Sequence, residues 1–188
     1  MKNLTLLILG TFLTLTSCGD DKKPIKNSDK ETSSATNNYS IASKDLVLTI
    51  NADFNTNDEI IVFWKDKSIG WFDDKNTIYG GASDIDGHQS IKFNFPRGII
   101  PNDIRIDISN NKEQKDVKIN FIKIESGDRE AYFFGNELNN YFEGNEYLKI
   151  TEGNEKVKLS TVGDNYDPFF KTKHPFILEL ERVLNTTF

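Results

Sequence analysis

Two stretches of the chain set aromatic rings beside carboxylates. Trp71-Phe72-Asp73-Asp74 lies between Gly70 and Lys75 with Tyr79 just beyond, and Tyr166-Asp167-Pro168-Phe169-Phe170 forms a second group. The chemistry suited to this pairing is saccharide binding, in which ring faces pack on the axial C–H patches of a pyranose while acids hydrogen-bond its hydroxyls. Trp71, Tyr79, Tyr166 and Phe169 are the candidates for stacking, and Asp73, Asp74 and Asp167 for hydrogen bonding. The competing use of such rings is to cap the core of a β-sandwich, a role aromatics commonly fill. A solvent-facing Trp71 would favour the first use.

Other chemistries find less support. Asp84-Ile85-Asp86-Gly87 has the alternating carboxylates of a calcium loop, but an EF-hand register would put Ala82 first and Phe93 twelfth, where neither can ligate. A looser calcium site on Asp73, Asp74, Asp84 or Asp86 is the one metal option, and a solvated acidic turn the simpler one. His88 and His174 stand far apart without metal-ligand spacing, and no Gly-x-Ser-x-Gly elbow or phosphate loop is present. Glycoside hydrolysis needs a carboxylate pair whose separation is set by the fold rather than by spacing. Exposed loop acids account for the 29 acidic residues more simply, so the expectation is a protein without catalysis or cofactor.

Cys18, the single cysteine, carries a separate chemistry. Lys2 precedes the 12-residue run Leu4 to Leu15, apolar apart from threonines and one glycine, which is a signal-peptide profile and too short to span a bilayer. Leu15-Thr16-Ser17-Cys18 resembles the bacterial lipobox. The resemblance implies cleavage before Cys18 and acylation of its thiol, usually with acylation of the new amino group. Two or more acyl chains anchor stably where one does not. Cleavage would take 17 of the 188 residues and one positive charge from the net −6, leaving 171 residues at −7. Such an acidic surface argues against nucleic acid as a partner and against electrostatic adsorption to anionic lipid, so the acyl chains are the membrane attachment.

Residues 19–44 are polar and small, with too little apolar surface to offset the entropy of ordering them. They read as a tether spanning about 28 Å root-mean-square as a flexible coil. Asp20-Asp21 near the lipid cysteine is similar to export signals of surface lipoproteins in some Gram-negative lineages. The expected location is thus the cell envelope, at an outer membrane, with the periplasmic and surface faces both open.

From Asp45 the pattern changes to period two, the mark of half-buried strands. Leu46, Leu48, Ile50, Ala52 and Phe54 alternate with polar residues, as do Ile91, Phe93 and Phe95, and again Ile104, Ile106 and Ile108. Ile60 to Trp64 is apolar on both faces and suits a central strand. Val117, Ile119 and Phe121 hold one phase and Ile122 and Ile124 the other, which predicts a bulge or bend near Phe121. Tyr132 to Phe134 is a short apolar run, and Asn136 can cap a helical turn carrying Leu138, Tyr141 and Phe142. Further strands are expected at Tyr147–Ile150, Lys156–Val162 and Phe176–Leu180. Eight or nine strands at this spacing, with one short helical segment, give an all-β chain: an antiparallel two-sheet sandwich of jelly-roll type over residues 45–188.

Phe93 to Ile124 resembles galactose-binding-like and carbohydrate-binding-module sandwiches of bacterial cell-surface glycan proteins. A strand ends at Pro96, Arg105-Ile106-Asp107 follows, and after a polar turn an alternating strand closes on Ile122-Lys123-Ile124. Ser160 to Phe170 is similar to the Gly-Asn-Asp-Pro-aromatic stretch near the end of such domains, with Tyr166 inserted before Asp167-Pro168. The resemblance implies the fold and a non-catalytic carbohydrate-binding role at the envelope. The alternative is an envelope lipoprotein whose sandwich contacts only other proteins, which a large flat apolar patch would favour.

Overall fold

The computed structural model describes residues 45–188 except Asp86, Glu152 and Asn154; Cys18, the signal segment and the tether lie outside the described residues. Eleven strands are described: β1 (Leu46–Asp53), β2 (Asp58–Lys65), β3 (Thr77–Ala82), β4 (Gln89–Asn94), β5 (Asp103–Asp107), β6 (Asp116–Ser126), β7 (Arg129–Phe134), β8 (Phe142–Gly144), β9 (Leu148–Ile150), β10 (Lys156–Leu159) and β11 (Phe169–Thr172). One sheet runs β4-β1-β6-β10-β9 with β7 also on β6, and the other runs β3-β2-β5-β11-β8. Every pairing is antiparallel. Side by side, the two orders match β4 with β3, β1 with β2, β6 with β5, β10 with β11 and β9 with β8. Each match joins strands consecutive in the chain, which is how a jelly roll wraps one ribbon into two sheets.

The alternation in the sequence sets which side of each strand faces inward. Leu48 and Ile50 of β1, Ile60 and Val62 of β2, Phe93 of β4 and Ile104 and Ile106 of β5 are fully buried in a single core. The opposite residues of the same strands stay at least partly accessible except Thr49 of β1, which is buried; Ile61 and Phe63 of β2 are half-buried. The phase change in β6 is a bulge. Asn51 pairs with Phe121 and Ala52 with Ile119, so Asn120 is the extra residue, and its amide donates to Asn51 Oδ1 at 2.6 Å. Val117 and Ile119 before the bulge and Ile122 and Ile124 after it all point inward, whereas Phe121 turns to the outer face.

Three local expectations are corrected. Asn136 caps nothing: it lies inside a short 3-10 turn (Gly135–Glu137) leading into α1 (Leu138–Tyr141), and neither start has a side-chain cap. Phe142, expected on that helix, is already in β8. Phe176–Leu180 is not a strand but part of α2 (His174–Leu184), so the domain has a second helix. Pro175 stands in its first turn, where a missing N–H costs nothing, and Phe176, Leu180 and Val183 at i, i+4 and i+7 are all fully buried. Asn185 in the left-handed conformation ends the helix, with Thr186 N–H returning to the Glu181 carbonyl at 3.0 Å. Phe176 rests 4.8 Å from Phe133 and 5.1 Å from Phe142, ring centre to centre, so α2 closes the core beside β7. No helix among the described residues is long and apolar enough to cross a membrane.

Candidate functional site

The outer face of the five-stranded sheet carries three of the candidate residues, Tyr79, Asp167 and Phe169. With Ile104 and Ile106 committed to the core, β5 must present Asp103, Arg105 and Asp107 outward, since side chains alternate across a strand. Register then sets their neighbours. Asp107 lies between Ile61 of β2 and Phe169 of β11, and Arg105 between Phe63 and Lys171. Tyr79 pairs with Ile61 and therefore begins the row that ends at Phe169. Three strand spacings put about 14 Å between those two backbone positions.

Arg105 is held from several sides. Its Nε and Nη2 donate to the two oxygens of Asp107 at 2.6 and 2.8 Å, and Nη2 also reaches Asp167 Oδ1 at 3.1 Å. The guanidinium carbon lies 3.7 Å from the centre of the Phe169 ring and 5.0 Å from that of Phe63. A planar cation layered on aromatic faces and forked onto a carboxylate is a rigid platform. Burial pushes the Asp107 carboxyl from its ordinary 3.8 up to about 6, outweighing the Arg105 contacts that favour its charge, and the nearby Asp167 charge adds to the rise.

Next to this platform is a hollow of about 330 Å³ bounded by Lys65, Phe72, Asp103, Arg105, Phe169 and Lys171. Lys65 Nζ pairs with Asp103 at 3.0 Å and lies 4.9 Å from the centre of the Phe72 ring. Asp103 also accepts from its neighbour's Ile104 N–H at 2.9 Å and from the Thr172 hydroxyl. Charged hydrogen-bonding groups converging beside two aromatic rings are the usual furniture of a small polar-ligand site.

Of the seven residues singled out by sequence, Asp167 and Phe169 come together on Arg105. Trp71 is 69% exposed on the β2–β3 loop beside Phe72, and Tyr79 is 59% exposed on β3. Asp73 is used locally, its carboxylate accepting Lys75 N–H at 2.9 Å and its carbonyl Asn76 N–H at 2.9 Å. The Asp74 carbonyl accepts the Thr77 hydroxyl at 2.9 Å while its carboxylate side stays exposed. Tyr166 turns inward instead. Its hydroxyl meets Ser109 Oγ at 2.8 Å and donates to the Gln114 carbonyl at 3.2 Å. There it joins a polar network in which Asp58 accepts from Ser109 Oγ at 2.5 Å and from the N–H groups of Asn110 and Asn111 at 2.8 and 3.0 Å. This network fixes the loop from which Asp167 reaches Arg105.

Lys65, Phe72, Asp103, Arg105 and Lys171 are not among the residues singled out by sequence, although Phe72 lies in the Trp71–Asp74 stretch and Arg105 in the Arg-Ile-Asp strand. A further signal is the outward phase of β5, where three charged residues alternate with three isoleucines. For calcium, Asp86 lies outside the described residues. Among those described, no three His, Cys, Asp or Glu side chains converge to hold a metal, and the Asp84 backbone N–H donates to Asn57 Oδ1 at 2.8 Å.

The outer face of the six-stranded sheet has its own aromatic group. Phe121 meets Tyr132 edge-on at 5.4 Å, and Tyr132 stacks with Phe134 at 5.9 Å, with Tyr132 and Phe134 both exposed. Lys123 beside them is held by Glu125 at 2.6 Å, whose hydrogen bond raises the lysine pKa. Comparison of the chain with protein-family models, with curated proteins and with solved structures finds no match in any of the three.

Proposed function

We propose that this chain is an envelope lipoprotein, anchored through Cys18, whose sandwich binds a glycan without cleaving it. The observation that carries the proposal is the hollow walled by Phe72 and Phe169, with Trp71, the residue before Phe72 in the chain, 69% exposed. An isolated exposed ring needs no explanation, but rings grouped beside converging charged groups are the pattern a saccharide requires. Asp167 and Tyr79 lie on the same face of the five-stranded sheet, within reach of an oligosaccharide laid across it. Screening the full chain in detergent on a glycan array, with Trp71→Ala and Phe169→Ala alongside, tests this. Binding that both substitutions weaken is the expected result, and binding indifferent to both would refute it.

The anchor has its own test. Incorporation of labelled palmitate and partition into a detergent phase are expected for the native chain and lost in Cys18→Ala. A second reading, contact with an envelope protein, is favoured by one observation, the exposed Tyr132 and Phe134 pair on the opposite sheet. Co-purification of one membrane protein, lost in Phe134→Ala, would favour it over glycan binding.

A further inference from the structure

We infer that the saccharide taken by the hollow beside Arg105 is an acidic one, whose carboxylate is received by Lys171. The inference rests on the glycan reading and narrows it. Three cations, Lys65, Arg105 and Lys171, line the hollow against one carboxylate, Asp103, in a chain whose net charge is −6. Two of the three are already neutralised. Lys65 is paired with Asp103 at 3.0 Å, and Arg105 is held by Asp107 and Asp167, neither of which lines the hollow.

Lys171 is different. Its ammonium lies 5.6 Å from the centre of the Phe169 ring and forms no ion pair among the described residues. Glu143, its neighbour across the β11–β8 ladder, lies outside ion-pair distance. The hollow therefore presents one cation with unused donors next to an aromatic wall. An ammonium makes its strongest hydrogen bonds to an anionic oxygen, at about 2.8 Å, and in an open site it attracts carboxylate over hydroxyl. A uronic acid offers both halves of the match, a C–H face for the rings and a carboxylate for Lys171. Its hydroxyls would then face Asp103, Lys65 and Thr172.

The probes are oligosaccharides of polygalacturonate, alginate and hyaluronan, each beside its own carboxyl-reduced, uncharged counterpart, titrated calorimetrically against the full chain in detergent. At least one acidic probe is expected to bind about tenfold or more tightly than its reduced partner, with the preference falling as sodium chloride is raised. Lys171→Ala is expected to erase the preference, Lys171→Arg to keep it, and Lys92→Ala, on the other sheet, to leave it unchanged. Equal binding of a probe and its reduced partner, or a preference that survives Lys171→Ala, overturns the inference and leaves glycan binding standing. Array binding confined to neutral sugars also overturns it. Absence of binding to every array glycan removes the glycan reading and this inference together.

Discussion

Asp107→Asn isolates the electrostatic cost built into the Arg105 platform. The wild-type carboxyl titrates at about 6 in the folded domain against an ordinary 3.8, with its side chain only 13% exposed. A folded-state pKa above the unfolded one means that the protonated form is favoured by folding. That stabilisation is complete below about pH 3.8, fades as pH rises, and is gone above about pH 6. Each tenfold change in proton affinity is worth about 1.4 kcal/mol, so the gap corresponds to about 3 kcal/mol. Asparagine stands in for the protonated acid and does not titrate. Urea unfolding of both proteins between about pH 3.5 and about pH 7.5 should therefore show the wild type losing about 3 kcal/mol relative to Asp107→Asn as pH rises. A carbon-detected NMR titration of the Asp107 carboxyl should have its midpoint near 6. A stability difference that stays flat with pH would show that burial does not raise the Asp107 carboxyl. So would one of opposite sign, since it would mean that Arg105 outweighs burial.

Phe176→Ala should destabilise the domain by about 4 kcal/mol, because a fully buried ring packed on Phe133 and Phe142 is replaced by a cavity. Chemical denaturation measures it, and a loss below about 1 kcal/mol would show that α2 does not pack as described. Gln114→Ala should cost about 3 kcal/mol. The fully buried Gln114 Oε1 accepts from Asn55 N–H at 3.2 Å, Thr56 N–H at 3.1 Å and the Thr56 hydroxyl at 2.8 Å, and its loss strands those donors. Protection of the Asn55 and Thr56 amides from hydrogen exchange should fall in the same variant.

Strand phases are legible in the sequence because a half-buried strand must alternate. The isoleucines of β5 and the leucines of β1 identify their buried sides without further information. The bulge at Asn120 is legible for the same reason, since only an extra residue lets Ile119 and Ile122 both face inward. The C-terminal helix is not, because Phe176-Ile177-Leu178 has the composition of a strand within five residues. Its helical spacing emerges only when the window extends to Val183, and Pro175 then reads as a first-turn residue rather than a breaker. In the candidate site, the aromatic-acidic loops point to Asp167 and Phe169. Arg105 is hidden because its surroundings depend on register: Phe63 is 42 positions earlier in the chain and Lys171 is 66 later, and no local pattern joins them. Tyr166 has the sequence setting of an exposed loop ring because its partner Ser109, just past the neighbouring strand β5, is 57 positions away in the chain.

The most direct test of glycan binding on the face of the five-stranded sheet is calorimetric titration of the best array ligand against three proteins: the wild type, Trp71→Ala and Tyr132→Ala. Losing the indole should weaken binding about tenfold or more, in line with the energy of a desolvated aromatic anchor, while Tyr132→Ala on the opposite sheet should match the wild type. Undiminished affinity in Trp71→Ala together with loss in Tyr132→Ala would contradict the account and move the binding surface to the other sheet.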